Sequence, residues 1–283
     1  MSWPQDMKDI SIIANSIAIP NTTNYVHQGE GYPVILIHGL AASLHDWDDF
    51  IPDLVANGYA AYALDLLGHG DSPKPDSRAY NVAWLFDHFA EWVESLELPK
   101  PPVLIGHSLG GYLVLDYARR FPARTHGLVL VNPFYRLGQL PALLRHSYRR
   151  PVINSAVVER TPEWLFRFIV DITSISLGNS SGASYRLPER ARAQTALDYK
   201  RTAAGVYNIP NTIEDLTPFL SQINLPALVV WGDHDATLDP SSFEELVALM
   251  PGAEGRSINA AHVVHQTNVS EFNQIVMEFL DTF

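Results

Sequence analysis

The chain has 283 residues, 47% of them hydrophobic, a formal net charge of −12 and no cysteine. That length and apolar content suit a globular protein with a sizeable core. The acidic balance argues against a nucleic-acid partner, whose phosphates call for a basic face, and without thiols there are no disulfides and no cysteine chemistry, which fits a reducing cytoplasm. No apolar run is long enough to span a bilayer. Residues 1–6 carry neither a basic nor an apolar leader-like stretch, so no secretory signal is expected and a cytoplasmic location is.

Taken in chain order, Ile10–Ile19 and Thr23–Gln28 read as antiparallel strands ahead of a turn at Gly29-Glu30-Gly31. Val34–His38 is a short, continuously apolar run, the mark of a strand buried on both faces. A helix is expected at Asp46–Asn57, a strand at Ala60–Asp65 and a Gly/Pro-rich loop at Leu66–Pro75. Then come helix Val82–Leu96, strand Val103–Ile105, helix Leu109–Phe121 and strand Gly127–Val131. Beyond Asn132-Pro133 the alternation stops, and helical patterns take over at Gln139–Tyr148, Pro162–Ile172 and Pro188–Ala204, with a loop at Gly178–Ser184. Strand Ala227–Trp231, helix Ser241–Met250, strand Gly255–Ile258 and helix Val269–Leu280 complete the chain. Strands alternating with helices imply a mostly parallel, doubly wound sheet, here of eight strands.

The irregular stretch differs in charge as well. Residues 134–215 hold 11 Lys+Arg and 7 Asp+Glu, a net of +4, while the remainder has a net of −16. This marks 134–215 as a distinct helical cap inserted after the sixth strand, on a core formed by 1–133 and 216–283. Its positive charge suits docking on an acidic body, or an entrance for anionic substrates.

In such sheets chemistry gathers at the carboxyl ends of strands. Gly106-His107-Ser108-Leu109-Gly110 lies where a buried strand should end and a helix begin. A serine flanked by small residues on so tight a turn projects its hydroxyl clear of the sheet, with a helix N-terminus behind it. After Val34–Ile37 come His38-Gly39-Leu40, where the Leu40 N–H, together with the Leu109 N–H, would make a two-donor oxyanion hole. After Ala227–Trp231 come Asp233, Asp235 and Asp239; after Gly255–Ile258 come His262 and His265. The order Ser, Asp, His is that of a nucleophile, an orienting acid and a base on this kind of sheet.

At these residues the chain resembles the α/β-hydrolase fold superfamily, in its capped serine-hydrolase, esterase-like form. The resemblance rests on His38-Gly39, on Asp65-Leu66-Leu67-Gly68-His69-Gly70-Asp71-Ser72, on Gly106–Gly110, and on Gly232-x-x-Asp235 with His262 downstream. It spans residues 34 to about 280 and is specific to the fold, not to a substrate. It implies Ser108 as nucleophile, Asp235 at the fourth position of its motif as acid, and His262 as base. Asp233 would brace its loop and Asp239 a turn. Ala261 stands where the family often has glycine. His107 would brace the serine turn, His38 would bond the oxyanion loop, and His69 would be structural. The histidines show no metal-ligand spacing, so neither metal nor cofactor is expected.

The function so implied is hydrolysis of small to medium acyl esters through an acyl-enzyme, with a small-molecule ester as the partner. Leu140, Leu143, Leu144, Trp164, Phe166, Phe168 and Ile169 would line an acyl pocket or form the cap's own core. Carbon–carbon (meta-cleavage product) hydrolysis is an alternative on the same triad. It is favoured by Arg186, Arg190 and Arg192, and disfavoured by His107, since those enzymes usually carry Asn there. Lactonase and haloperoxidase activity, and a non-catalytic ligand-binding role, are the remaining readings.

Overall fold

The computed structural model describes residues 23–75, 80–142, 145–146, 160–176 and 187–283. Seven strands form one sheet: β1 (Tyr25–Gln28), β2 (Tyr32–Ile37), β3 (Tyr59–Leu64), β4 (Val103–His107), β5 (Gly127–Val131), β6 (Ala227–Gly232) and β7 (Ala253–Ile258). Their order is β1-β3-β2-β4-β5-β6-β7, antiparallel only at β1·β3 and parallel elsewhere. The expected strand Ile10–Ile19, which would be the eighth, lies outside the described residues.

The central strands are apolar on both faces because both faces are covered. Ile35, Ile37, Leu104, Leu128, Leu130 and Val229 enter one core layer, and Val34, Leu36, Val103, Ile105, Val129, Leu228 and Val230 the other. This is the period-2 alternation of a strand read from both sides. Helices α2 (Val82–Ser95) and α3 (Leu109–Arg120) cover the first face; α1 (Ile51–Ala56) and the C-terminal helix Val269–Leu280 cover the second. The helix expected at Asp46–Asn57 is split into a 3-10 turn, Leu44–Trp47, and α1. Pro52 stands in the first turn of α1, where its missing N–H costs nothing; inside one continuous helix it would break the ladder.

Between β5 and β6 lie α4 (Glu163–Ser176) and α5 (Glu189–Arg201), which pack together through Phe166, Val170, Ala196 and Tyr199. α5 stops at Arg201, short of the expected Ala204, because Thr202 turns extended and its hydroxyl bonds the Asp198 carbonyl. Exposed ion pairs link α5 to acidic groups of the sheet domain, Arg190 to Asp49 and Arg201 to Asp71, each at 2.6 Å. Pairs of that kind contribute little individually. A buried bond from Ser43 Oγ to Asp198 Oδ2, at 2.8 Å, joins the same helix to the loop after β2. Residues 143, 144, 147 and 148 of the expected helix Gln139–Tyr148, and the loop Gly178–Ser184, fall outside the described residues; Gln139 closes a 3-10 turn, Leu137–Gln139.

Strand order reverses at β2. From there the chain steps to β3 on one side and then to β4 on the other, so the carboxyl ends of β2 and β4 lie side by side at a topological switch point. Ligand sites of open α/β sheets form at such a point.

Candidate active site

Ser108 follows β4 directly and has φ 51 and ψ −111, a left-handed backbone that costs free energy for any residue with a Cβ. The turn is held from three sides. The Ser108 N–H bonds the Val131 carbonyl at 2.9 Å, and the Ser108 carbonyl accepts from Tyr112 N at 3.2 Å and Phe134 N at 3.0 Å. Glycine is required beside it by contact. A Cβ on Gly106 would lie 2.4 Å from the Gly110 carbonyl oxygen, and one on Gly110 would lie 2.3 Å from that of Ile37. The strained serine thus sits where the backbones of β4, α3 and β2 pack directly against one another.

Of the three aspartates after β6, only Asp235 is buried; Asp233 and Asp239 are exposed. Asp235 Oδ2 lies 2.7 Å from His262 Nδ1 and accepts from Asn132 Nδ2 at 2.8 Å. Its Oδ1 accepts from the N–H groups of Thr237 and Leu238 at 2.7 and 3.0 Å. Burial by itself would raise this carboxyl. The neighbouring imidazole charge and the bonds from His262, Leu238 and Asn132 outweigh burial and hold it below the ordinary carboxylate range. The acceptor at Nδ1 sets the His262 tautomer and leaves Nε2 as its free basic nitrogen. Ser108, His262, Leu40 and Leu109 all line one cavity of about 420 Å³.

The neighbouring histidines are also placed by bonds. His38 Nδ1 donates to the Gly39 carbonyl at 2.7 Å, and its Nε2 accepts from Leu66 N at 3.0 Å. His69 Nδ1 bonds the Leu67 carbonyl, and burial keeps its ring well below the ordinary histidine range. His107 Nε2 donates to the His262 carbonyl at 3.1 Å.

Sequence spacing concealed two features. Asn132, with φ 41, directly follows β5 and braces Asp235; its position just past a strand's carboxyl end was the available signal. The second is a buried cluster of Asp46, His107 and His265, whose ligand-type atoms all lie within 4.8 Å of one another although the residues are far apart in the chain. Asp46 Oδ2 is 3.5 Å from His107 Nδ1 and 4.0 Å from His265 Nε2, while Asp46 Oδ1 accepts from Gln266 Nε2 at 2.7 Å. Burial would raise Asp46, but His107 and His265 hold it down to about 2; burial pushes His265 down to about 3. The cluster ties the loop after β2 to the serine turn and to the residues after His262.

The expected lining of the pocket is corrected in part. Leu140 and Val170 line the cavity, Phe166 lies in the α4–α5 core, and Trp164 and Phe168 are exposed. Leu143, Leu144, Arg186 and the Ile169 side chain fall outside the description. Arg190 pairs with Asp49, and Arg192 with Asp171 and Glu189; neither lines the cavity.

The human protein named 1-acylglycerol-3-phosphate O-acyltransferase ABHD5 is 28% identical over 287 residues, covering 88% of this chain and 78% of that protein. Among solved structures, a thermophilic esterase from Thermogutta terrifontis superposes with a TM-score of 0.76 at 21% identity, covering 92% of this chain and 93% of that one. The enol-lactonase from Burkholderia xenovorans LB400 gives 0.75 at 22%, covering 93% and 98%. These levels of identity establish the shared fold. The family described as alpha/beta hydrolase fold matches residues 32–269, the span that contains every element of the site, and the chain belongs to that family.

Proposed function

We propose that this protein is a serine hydrolase of carboxylic esters, with Ser108, His262 and Asp235 as its triad. The observation that carries the reading is the 2.7 Å pair of His262 Nδ1 with buried Asp235, set on the same cavity as a strained Ser108. In this reading His262 Nε2 takes the Ser108 proton as Oγ attacks the ester carbonyl. The Leu40 and Leu109 N–H groups hold the oxyanion, and the alcohol leaves with the proton from His262. Water activated by His262 then releases the acid and restores Ser108. Asp235 keeps the imidazole in its tautomer and offsets its positive charge. Residues 134–215 act as the cap, with α5 roofing the cavity through Thr195, Asp198 and Tyr199. Because Arg190 and Arg192 are engaged away from the cavity, ester cleavage is favoured over carbon–carbon cleavage.

An acyl-enzyme can pass its acyl group to an alcohol as well as to water, the reaction named for the human relative, so assays should include glycerol as a competing acceptor. The test is labelling by a fluorophosphonate probe together with turnover of nitrophenyl esters, lactones and dienone ring-fission products. Labelling on Ser108, and ester hydrolysis lost in Ser108→Ala, are expected. An unlabelled wild-type protein would overturn the reading.

A further inference from the structure

One carboxylate among the described residues of the cavity wall belongs neither to the proposed triad nor to the Asp46 cluster. Asp198, on α5, is 3% exposed and lines the cavity. Its Oδ2 accepts from Ser43 Oγ and its Oδ1 from Gln194 Nε2, each at 2.8 Å. A carboxylate accepts about four hydrogen bonds, so two acceptor positions remain. Neither partner is a cation. The arginines of the same helix are engaged elsewhere, Arg190 with Asp49, Arg192 with Asp171 and Glu189, and Arg201 with Asp71. No Lys or Arg lines the cavity among the described residues. Burial pushes the Asp198 carboxyl up to about 6, against the bonds from Ser43 and Gln194, so the group still stands largely ionised at neutral pH. Lys74 and His45 act on it through space, but no cation bonds it, and a buried carboxylate without a bonded counter-charge is costly. A side chain serving packing alone would be apolar here.

We propose that Asp198 is a substrate-recognition residue that accepts a hydrogen bond from a hydroxyl of the ester and rejects esters carrying a second, anionic group. Leu40, Phe134, Leu140, Val170 and Leu238 give much of the wall an apolar surface, and Asp46 is the second carboxylate on it. The substrate class is therefore an uncharged ester with an apolar chain and a hydroxyl, on either its acyl or its alcohol side. This assignment rests on the proposed function only for what happens after binding.

The experiment compares matched esters in two ways: calorimetric binding to the Ser108→Ala protein, and kcat/KM with the wild type. On the acyl side these are the nitrophenyl esters of hexanoic and 6-hydroxyhexanoic acid and the mono-nitrophenyl ester of adipic acid. On the alcohol side they are ethyl hexanoate and glycerol monohexanoate. A hydroxyl on the favoured side should tighten binding about tenfold, the strength of one hydrogen bond to a charged acceptor. The adipate ester should bind about 30-fold more weakly than the hexanoate, from desolvated like charges. Asp198→Asn, added to Ser108→Ala, should shrink the adipate penalty to a few-fold. Adipate and hexanoate esters binding alike would overturn the inference, and this arm needs no Asp198 variant. If the wild type cleaves none of the esters while the binding order holds and Asp198→Asn shrinks the adipate penalty, ester hydrolysis fails as the function and Asp198 stands as a recognition residue; an adipate penalty unchanged in Asp198→Asn would overturn the inference.

Discussion

His107 Nε2 lies 3.1 Å from the backbone carbonyl oxygen of His262. A carbonyl only accepts, so this nitrogen carries the proton, and His107 Nδ1 is left facing Asp46 Oδ2 at 3.5 Å. The residue beside the proposed nucleophile thereby holds the backbone of the proposed base. Removing it should loosen the base without touching the pocket's apolar wall. His107→Ala is expected to lower kcat about tenfold, the size of a lost positioning bond, with KM little changed. His107→Gln, which restores an N–H, should recover part of the loss in the same steady-state assay. A rise in KM with constant kcat would count against a positioning role.

Asp235→Asn should keep the fold and lose the chemistry. The backbone N–H groups of Thr237 and Leu238 still find an acceptor, but the amide cannot stabilise an imidazolium or enforce the tautomer. A drop in ester turnover of about 10³–10⁴-fold is expected, with a melting temperature close to wild type. Scanning calorimetry beside the kinetic assay separates the two effects.

Asp46 and Asp198 should affect acid stability with opposite signs. Asp46 is held down to about 2 in the folded protein, so it contributes stability above the unfolded carboxyl value, and that contribution is lost as pH falls from about 4 towards 2. Asp46→Asn should therefore lower stability more at pH 7 than near pH 2, read from urea unfolding at each pH.

Asp198 is pushed up to about 6, so the folded protein holds its proton more tightly than the unfolded chain does. Stability tied to this group is full below the unfolded value and falls as pH rises towards 6. Asp198→Asn should raise stability at pH 8 by about 2 kcal/mol and give no gain at pH 4. A residue that lowers stability at neutral pH while lining a substrate cavity fits a group kept for recognition.

The glycines of the serine turn are set by contact with backbone, which cannot yield as a flexible side chain does. Gly110→Ala would place a Cβ 2.3 Å from the Ile37 carbonyl oxygen and 2.7 Å from that of His38. A loss of about 3 kcal/mol or more is expected, seen as a shifted denaturation midpoint and reduced soluble yield.

Much of this architecture was legible in the chain itself. Continuous apolar runs such as Val34–Ile37 and Gly127–Val131 could be satisfied only by strands covered on both faces, and Ser108 and Asp235 follow such runs, whereas His262 follows the polar edge strand β7. What remained hidden was of two kinds. The stretch expected as one helix, Asp46–Asn57, divides because Pro52 cannot stand inside a continuous helix but fits the first turn of α1. The cluster of Asp46, His107 and His265 has no signature along the chain, because its members come from a 3-10 turn, a strand end and a short helix far apart in sequence.

The sequence by itself determined the fold, the order of the site residues and the strained turn at Ser108, because local periodicity, glycine placement and strand ends are properties of neighbours in the chain. The tertiary structure decided which of three aspartates is buried against His262, that Asn132 and His107 brace the pair, and that Asp198 lines the cavity with no cation bonded to it. Burial and electrostatic partnership depend on distances across the fold, and these exist only once strands far apart in sequence lie side by side.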